Sequence, residues 1–326
     1  MKKKNFKLIA KNVISTEIES LRKLKSFINN SFEKAVETIL NRRNGKIIIS
    51  GIGKSGIIGK KISSTLSSVG ISSFFVDAAA CSHGDLGMIT SNDTVILISN
   101  SGESEELKNI IQYIKRNKKI ILIGIVSKKN SLLYKSANIK LLIPNVKEAD
   151  PAGIVPTSST IVQLSIGDAL AVATINYRNF GKLDFKKFHP SGMLGAKLKT
   201  AEDLMITKNK LPLIHENESM KKGLDFINKK KLGVLIVKNR SGITVGIVTD
   251  GDIKRANKKY RDLTSLKIKN IMTKKPISVE KNTLAVEALS IMNSMKITGL
   301  CVHNKSDYKK TIGFLHIHNV LEANIQ

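Results

Sequence analysis

Three regimes of apolar spacing divide the chain. Over residues 1–45, Ile14, Ile18, Leu21, Leu24 and Ile28 form one stripe at three- and four-residue intervals, and Phe32, Val36, Ile39 and Leu40 form a second. This spacing predicts two amphipathic helices. They are too polar elsewhere to form a domain alone, so they should pack on the segment after them. From residue 46 the pattern changes to short unbroken apolar runs at 47–50, 73–76, 94–99, 120–126 and 139–143. Helical patterns separate them: one after Gly56, with Ile58, Ile62, Leu66 and Val69, then 103–116 and 131–136. Apolar strands without alternation predict a parallel sheet covered on both faces. A long helix is predicted over 157–177, with Ile161, Leu164, Ile166, Leu170 and Val172 as apolar positions. Residues 182–200 hold Pro190, Gly192 and Gly195 with little periodicity and read as a linker.

The remainder is an internal repeat. Asp203-Leu204-Met205 matches Asn270-Ile271-Met272, and Gly246-Ile247-Val248 matches Gly313-Phe314-Leu315, both at an offset of 67 residues. Each copy predicts a turn, a helix, two strands and a helix. A duplicated unit of this kind pairs with itself about a pseudo-two-fold axis and leaves clefts between its halves. The expected division is 1–200, 201–264 and 265–326.

Composition narrows the partners. The chain has 326 residues, 41% of them hydrophobic, enough for more than one core. Lys and Arg number 54 against 26 Asp and Glu, a net charge of +28. The lysines are spread along the whole chain, Arg is scarce and Asn frequent, so the charge reads as a compositional bias and not as a nucleic-acid footprint. Aromatics are 5% and Trp is absent, which supplies base-stacking platforms poorly. Cys81 and Cys301 are far apart and suggest neither a disulfide framework nor a zinc site, which fits a reducing cytoplasm. Residues 1–4 are basic, but no apolar segment of a signal peptide follows. No apolar run approaches the roughly 20 residues of a membrane span. Neither nucleic acid nor membrane is an expected partner.

Candidate chemistry centres on residues 46–59, KIIISGIGKSGIIG, where a strand runs into a glycine turn, Gly51, Gly53, Ser55 and Gly56, and then a helix. That order binds phosphate, because glycines admit the ligand to the backbone and the free N–H groups at a helix start point at the anion. Asp77 lies near the distance of a dinucleotide ribose contact, so NAD stays open from this turn alone. A Lys-Ser pair inside the turn and a second such turn downstream weigh against it. The second, SNSGES over 99–104, follows the strand TVILIS and offers hydroxyls at Ser99, Ser101 and Ser104. Its alternative is simple helix capping by Ser101, with Glu105 or Glu106 in the first turn. Two such turns at strand C-termini of one sheet favour a ligand crevice there.

GIGKSG, SHGDLGM, SNSGESEE, PTSST and HPSGMLG together resemble the sugar isomerase (SIS) domain. The repeat resembles a tandem pair of cystathionine-β-synthase (CBS) modules, VTDGDIKR closing the first and FLHIHNVLEA the second. SIS followed by two CBS modules resembles the arabinose-5-phosphate isomerase family over residues 12–324. The resemblance implies a three-layer α/β/α SIS domain on a parallel sheet, followed by the CBS pair. It implies interconversion of D-ribulose 5-phosphate and D-arabinose 5-phosphate through a cis-enediol, the entry to Kdo, a sugar of the Gram-negative outer membrane. A homo-oligomer, a tetramer, is implied because SIS sites form between subunits. A nucleotide or nucleotide-sugar effector is implied at the CBS pair.

The same resemblance assigns the site. Isomerisation needs a C–H base, a group moving protons between two oxygens, and positive charge near the enediolate. Lys54 would meet phosphate or enediolate, its alternative being a solvated lysine. Glu148 is the first candidate for the base, its alternative an exposed loop glutamate. Glu106 would orient Lys54 or His189, or serve only the helix dipole. His189, before Pro190 in a loop, would give or take a proton. His83 would sit at the substrate or pack in its loop. Gly53, Ser55, Ser99, Asn100, Ser101, Ser104, Thr157, Ser158 and Ser159 complete the expected substrate contacts. No cofactor is expected. Relatives usually have a His and a Glu where Asp77 and Ala80 stand here, which argues against the metal some of them bind. Ser191 also replaces the first of two glycines usual after the His-Pro pair. In the CBS pair, Asp252 is expected to cap a helix, and Asp250 to cap or to meet a ribose. His215, His303, His316 and His318 read as packed or exposed strand residues, with a cleft-lining role as the alternative for the last two. Two rival readings are isomerisation of another sugar phosphate and a non-catalytic sugar-phosphate sensor. The latter usually carries a DNA-binding domain before the SIS fold, and about 45 residues are too few for one here.

Overall fold

The structure, a computed structural model, describes residues 5–42 and 44–325. Residues 1–4, on which the signal-peptide expectation partly rests, lie outside the described residues. Contacts divide the chain into two units, meeting between Phe188 and His189.

The first unit runs α1 (Phe6–Lys25), α2 (Asn30–Asn41), β1 (Ile47–Gly51), α3 (Gly53–Ser68), β2 (Ser73–Phe75), α4 (Ala78–Cys81), β3 (Thr94–Ile98), α5 (Glu105–Arg116), β4 (Ile121–Val126), α6 (Leu132–Ser136), β5 (Ile139–Leu142), α7 (Ser158–Tyr177) and α8 (Lys182–Phe188). Its sheet has the order β2-β1-β3-β4-β5, and every pairing is parallel. The unbroken apolar strands are explained by their two buried faces. Ile47 and Ile49, Ile96 and Ile98, and Ile123 and Ile125 point into a core shared with α1, α2, α3 and α7. Ile48, Val95, Leu97, Leu122 and Val126 point into the opposite core, under α5 and α6. The result is the expected α/β/α sandwich.

Local rules set the helix ends. Asn29 accepts from the Ser31 amide at the start of α2, and Ser131 from the Tyr134 amide at the start of α6. α5 carries Glu105 and Glu106 in its first turn and Lys115 and Arg116 in its last, complementing its dipole. α3 begins at Gly53, inside the glycine turn and earlier than its apolar spacing predicts. α4, which no apolar pattern announces, is capped by the Asp77 carboxylate on the Ala79 amide at 3.0 Å. Half of the α1 stripe is uncovered, with Ile14 at 56% and Ile18 at 45% exposure. α7 corrects the expectation that no apolar stretch approaches a membrane span, having 20 residues with mean hydropathy 1.3. Half of it is buried against α1, α2 and α3, the setting of a core helix.

The second unit runs α9 (Gly192–Lys197), α10 (Ala201–Leu204), β6 (Ile206–Thr207), β7 (Leu213–His215), α11 (Met220–Lys230), β8 (Val234–Lys238), β9 (Thr244–Thr249), α12 (Asp250–Lys259), β10 (Thr273–Lys274), β11 (Ser278–Glu280), α13 (Ala285–Met295), β12 (Gly299–His303), β13 (Gly313–His316) and α14 (Ile317–Glu322). The expected linker, 182–200, therefore contains α8 and α9. Each half of the repeat also adds a short strand before its own core and one before its first long helix. Those leading strands cross over: β6 of the first copy pairs with β13 of the second, Ile206 opposite Phe314, and β10 pairs with β9, Thr273 opposite Ile247. Each pairing is the image of the other at the 67-residue offset. Thr244 and Thr311, equivalent positions, share a 2.8 Å hydroxyl–hydroxyl bond, which marks the pseudo-two-fold axis. Asp252 caps α12 with the Thr249 amide and hydroxyl at 2.9 and 2.7 Å, and takes the Thr273 hydroxyl from the other copy at 2.8 Å.

The end of β1 and the start of α3 approach each other closely. A Cβ on Gly56 would stand 2.8 Å from the Gly51 carbonyl oxygen. Gly56→Ala is therefore expected to destabilise the protein by about 1–3 kcal/mol, read as a fall of several degrees in the melting temperature of the first unit, while Gly87→Ala, with open space around it, should leave that melting temperature unchanged.

Candidate active site

Strand order fixes where the chain can build a pocket. β1 connects to β2 on one side and β3 to β4 on the other, so the crossovers part between β1 and β3. In open parallel sheets ligands sit at the carboxyl ends of the strands at such a switch point. Gly51 pairs with Ile98, so the two sequence turns leave the sheet side by side. In the first, Gly53 has φ +57°, a left-handed conformation suited to glycine. In the second, Gly102 has φ +71°, and its amide donates to Ser99 Oγ at 3.0 Å. Ser99 Oγ also lies 3.2 Å from Ser104 Oγ, and Ser101 Oγ accepts from the Glu103 amide at 3.3 Å. Ser104, not Ser101, occupies the cap position of α5.

The third wall is the loop between β5 and α7. Asp150 folds it by accepting from the Ala152, Ile154 and Val155 amides. Glu148 then takes the place of a capping residue for α7. Its Oε2 accepts from the Thr157 amide at 2.8 Å, the Thr157 hydroxyl at 3.0 Å and the Ser159 amide at 3.2 Å. Burial alone would push this carboxyl up, but the Ser159 and Thr157 hydroxyls and amides together hold it below its ordinary value. The helix start thus keeps Glu148 ionised and fixed in direction.

These three walls enclose a cavity of about 460 Å³ lined by Lys54, Ser55, Asn100, Glu148, Ser159 and Gln163, among others. Of the expected site residues, the fold brings Lys54, Ser55, Asn100, Glu148 and Ser159 to that lining. Gly53, Ser99, Ser101 and Ser104 shape the turns beside it, and Thr157 holds Glu148 from behind. Ser158 is fully buried and Glu106 half-buried in the first turn of α5, neither on the lining. His83 is exposed in the loop after α4, and His189 belongs to the second unit. Gln163 escaped the sequence reading. Its signal was a polar residue on the buried side of α7, beside Val162 and Ile166.

Among the described residues no three His, Cys, Asp or Glu side chains gather as metal ligands would. Asp77 is engaged as a helix cap. Both cysteines are free and buried; burial, with Asp85 and Asp77 nearby, pushes the Cys81 thiol up to about 11, and burial does the same for Cys301. Neither suits nucleophilic work near neutral pH.

In the second unit a cleft of about 500 Å³ is lined from both copies of the repeat, by Thr249, Asp250, Lys275, Lys296, Phe314 and His316 among others. His316 Nδ1 accepts from the His318 amide, capping α14, and the two rings stack at 5.0 Å. Burial, then the neighbouring His318, lowers the pKa of His316.

The SIS-domain family model matches residues 39–173, and the CBS-domain model matches 201–259 and 268–325. Arabinose 5-phosphate isomerase KdsD of Yersinia pestis is 42% identical over 322 residues, 98% of this chain and 97% of that protein. Its namesake in Salmonella typhimurium is 40% identical over the same lengths. Among solved structures, Escherichia coli CFT073 c3406 in complex with arabinose 5-phosphate is 35% identical, with a TM-score of 0.55 over 58% of this chain and 100% of that one. The chain belongs to the arabinose 5-phosphate isomerase family, and it joins a SIS domain to a CBS pair.

Since its pKa is lowered by folding, Glu148 contributes stability that is present above the ordinary value of 4.5 and lost as pH falls through the folded value. Wild type should accordingly be more stable than Glu148→Gln at neutral pH, and the gap in urea midpoints should close as the pH is taken below that range.

Proposed function

We propose that this protein interconverts D-ribulose 5-phosphate and D-arabinose 5-phosphate, supplying Kdo for lipopolysaccharide. The observation that carries the reading is one cavity, at the switch point of a parallel sheet, shared by an ionised carboxylate and an ammonium group, Glu148 and Lys54. The adjacent turns around Ser55 and Asn100 receive the phosphate. Glu148 removes the proton from C2 of the open-chain aldose, electrons shift to the carbonyl, and a cis-enediol forms. Protonation at C1, with transfer of a proton between the oxygens, gives the ketose. Lys54, oriented by Glu106, balances the enediolate charge, and His189 is assigned the transfer of that oxygen-bound proton. His83 meets the substrate from its loop. No step requires a cofactor or a metal.

Residues 1–200 carry the reaction in this scheme, while 201–264 and 265–326 bind an effector. A nucleotide or nucleotide-sugar fits the chemistry of the second-unit cleft, where Asp250 suits a ribose diol and Lys275 and Lys296 suit phosphate. We assign a tetramer, supported by the uncovered Ile14 and Ile18 of α1 and Tyr177 of α7, apolar surface that another copy would bury. A cytoplasmic location follows from the substrate and suits the free thiols.

Purified protein mixed with ribulose 5-phosphate should produce arabinose 5-phosphate by NMR, and a panel of hexose and pentose phosphates should show this pair as preferred. Lys54→Ala and His189→Asn should each lower kcat by about a thousandfold or more with unchanged circular dichroism. Near-normal rates in both would overturn the assignment of roles. Light scattering that finds only monomer would remove the tetramer.

A further inference from the structure

The first-unit cavity is lined by two side-chain amides whose oxygens the folded chain leaves unpaired. Gln163 is 1% exposed, and its Oε1 has no hydrogen-bond partner. Asn100, in the second turn, has a buried Oδ1 in the same condition. Both residues line the cavity. Buried polar atoms are nearly always paired, so an orphan in a native fold asks for an explanation. A ligand group that completes it is the simplest one when the atom belongs to a pocket wall.

Helix geometry says which part of a ligand Gln163 meets. Ser159 and Gln163 are four residues apart on α7, so both project from one face, about 6 Å apart along the axis. The Ser159 amide holds Oε2 of Glu148 at 3.2 Å. Gln163 is therefore one helical turn from the base, on the same wall. A sugar with its reacting carbons at Glu148 brings its other hydroxyls within reach of that amide. The side chain suits such a contact, since a hydroxyl both gives and accepts a hydrogen bond, and an amide offers an acceptor and two donors.

We propose that Gln163 is a specificity-determining residue, whose amide binds a sugar hydroxyl beyond the reacting C1–C2 pair, at C3 or C4. The inference rests on the pentose-phosphate reading above. A site built to bond a hydroxyl rejects the analogue lacking it far more strongly than an apolar wall would.

The test uses D-arabinitol 5-phosphate, which has no carbonyl to isomerise, with its 3-deoxy and 4-deoxy forms, and inorganic phosphate as the baseline. Calorimetric affinities are measured on the full-length wild type, Gln163→Met and Gln163→Glu. Wild type should bind one deoxy form about tenfold or more weakly than the parent polyol. That penalty should shrink to less than about twofold in Gln163→Met, phosphate affinity should not change, and the melting temperature of the unliganded variant should be equal to or above wild type, because an orphaned polar group has been removed. Equal penalties in wild type and variant would overturn the proposal, as would a wild type indifferent to both hydroxyls, a result that needs no variant. Gln163→Glu, which keeps the acceptor, should retain most of the penalty if the orphaned oxygen is the contact. Wild type that converts no pentose phosphate yet keeps the coupling would sink the isomerase reading alone; turnover without coupling would sink this inference alone.

Discussion

The pairing of Gly51 with Ile98 is the constraint on which the rest of the first unit depends. It aligns the ends of β1 and β3, so two turns from distant parts of the sequence emerge at the same level. Three connections then wall the cavity: α3 starts within the first turn, α5 just after the second, and the loop over 143–157 closes the third side. A slip of one residue between these strands would send Ile96 and Ile98 to the face now filled by Val95 and Leu97. The apolar cores on both faces thus hold the register that positions the polar site.

Glu148 shows how such a site combines rigidity with reactivity. A carboxylate wedged against the start of a long helix takes its charge stabilisation from amides that would otherwise lack acceptors. Its orientation is therefore fixed before any substrate arrives. The same α7 whose first turn holds Glu148 carries Gln163 one turn after Ser159, so the carboxylate and the amide are both referenced to one helix.

Much of this was legible in the chain. The unbroken runs of β1, β3 and β4 could only be strands buried on two faces, and the glycine turns after β1 and β3 marked the crevice. The 67-residue offset announced the duplicated second unit, and the TDGD segment the capping role of Asp252. The features that escaped did so for physical reasons. α4 is a single turn held by Asp77 and carries no period to detect. α8 and α9 are too short for periodicity. Ile14 and Ile18 lie on a correct stripe, but spacing says only that a face is apolar, not that the same chain covers it. Gln163 was hidden because one polar residue among Val162 and Ile166 does not disturb a hydrophobic pattern, and only its lack of a partner makes it conspicuous.

The hydroxyl contact between Thr244 and Thr311 has a historical implication. When two identical halves meet across an axis, each position on that axis faces its own copy, and any exchange is felt twice over. Fusion into one polypeptide lifts that rule, and the repeat has used the liberty. Asp252 with its threonine partners corresponds, 67 residues on, to Asn319, whose buried Oδ1 is unpartnered, so the two halves, once interchangeable, have become distinct surfaces for evolution to shape separately.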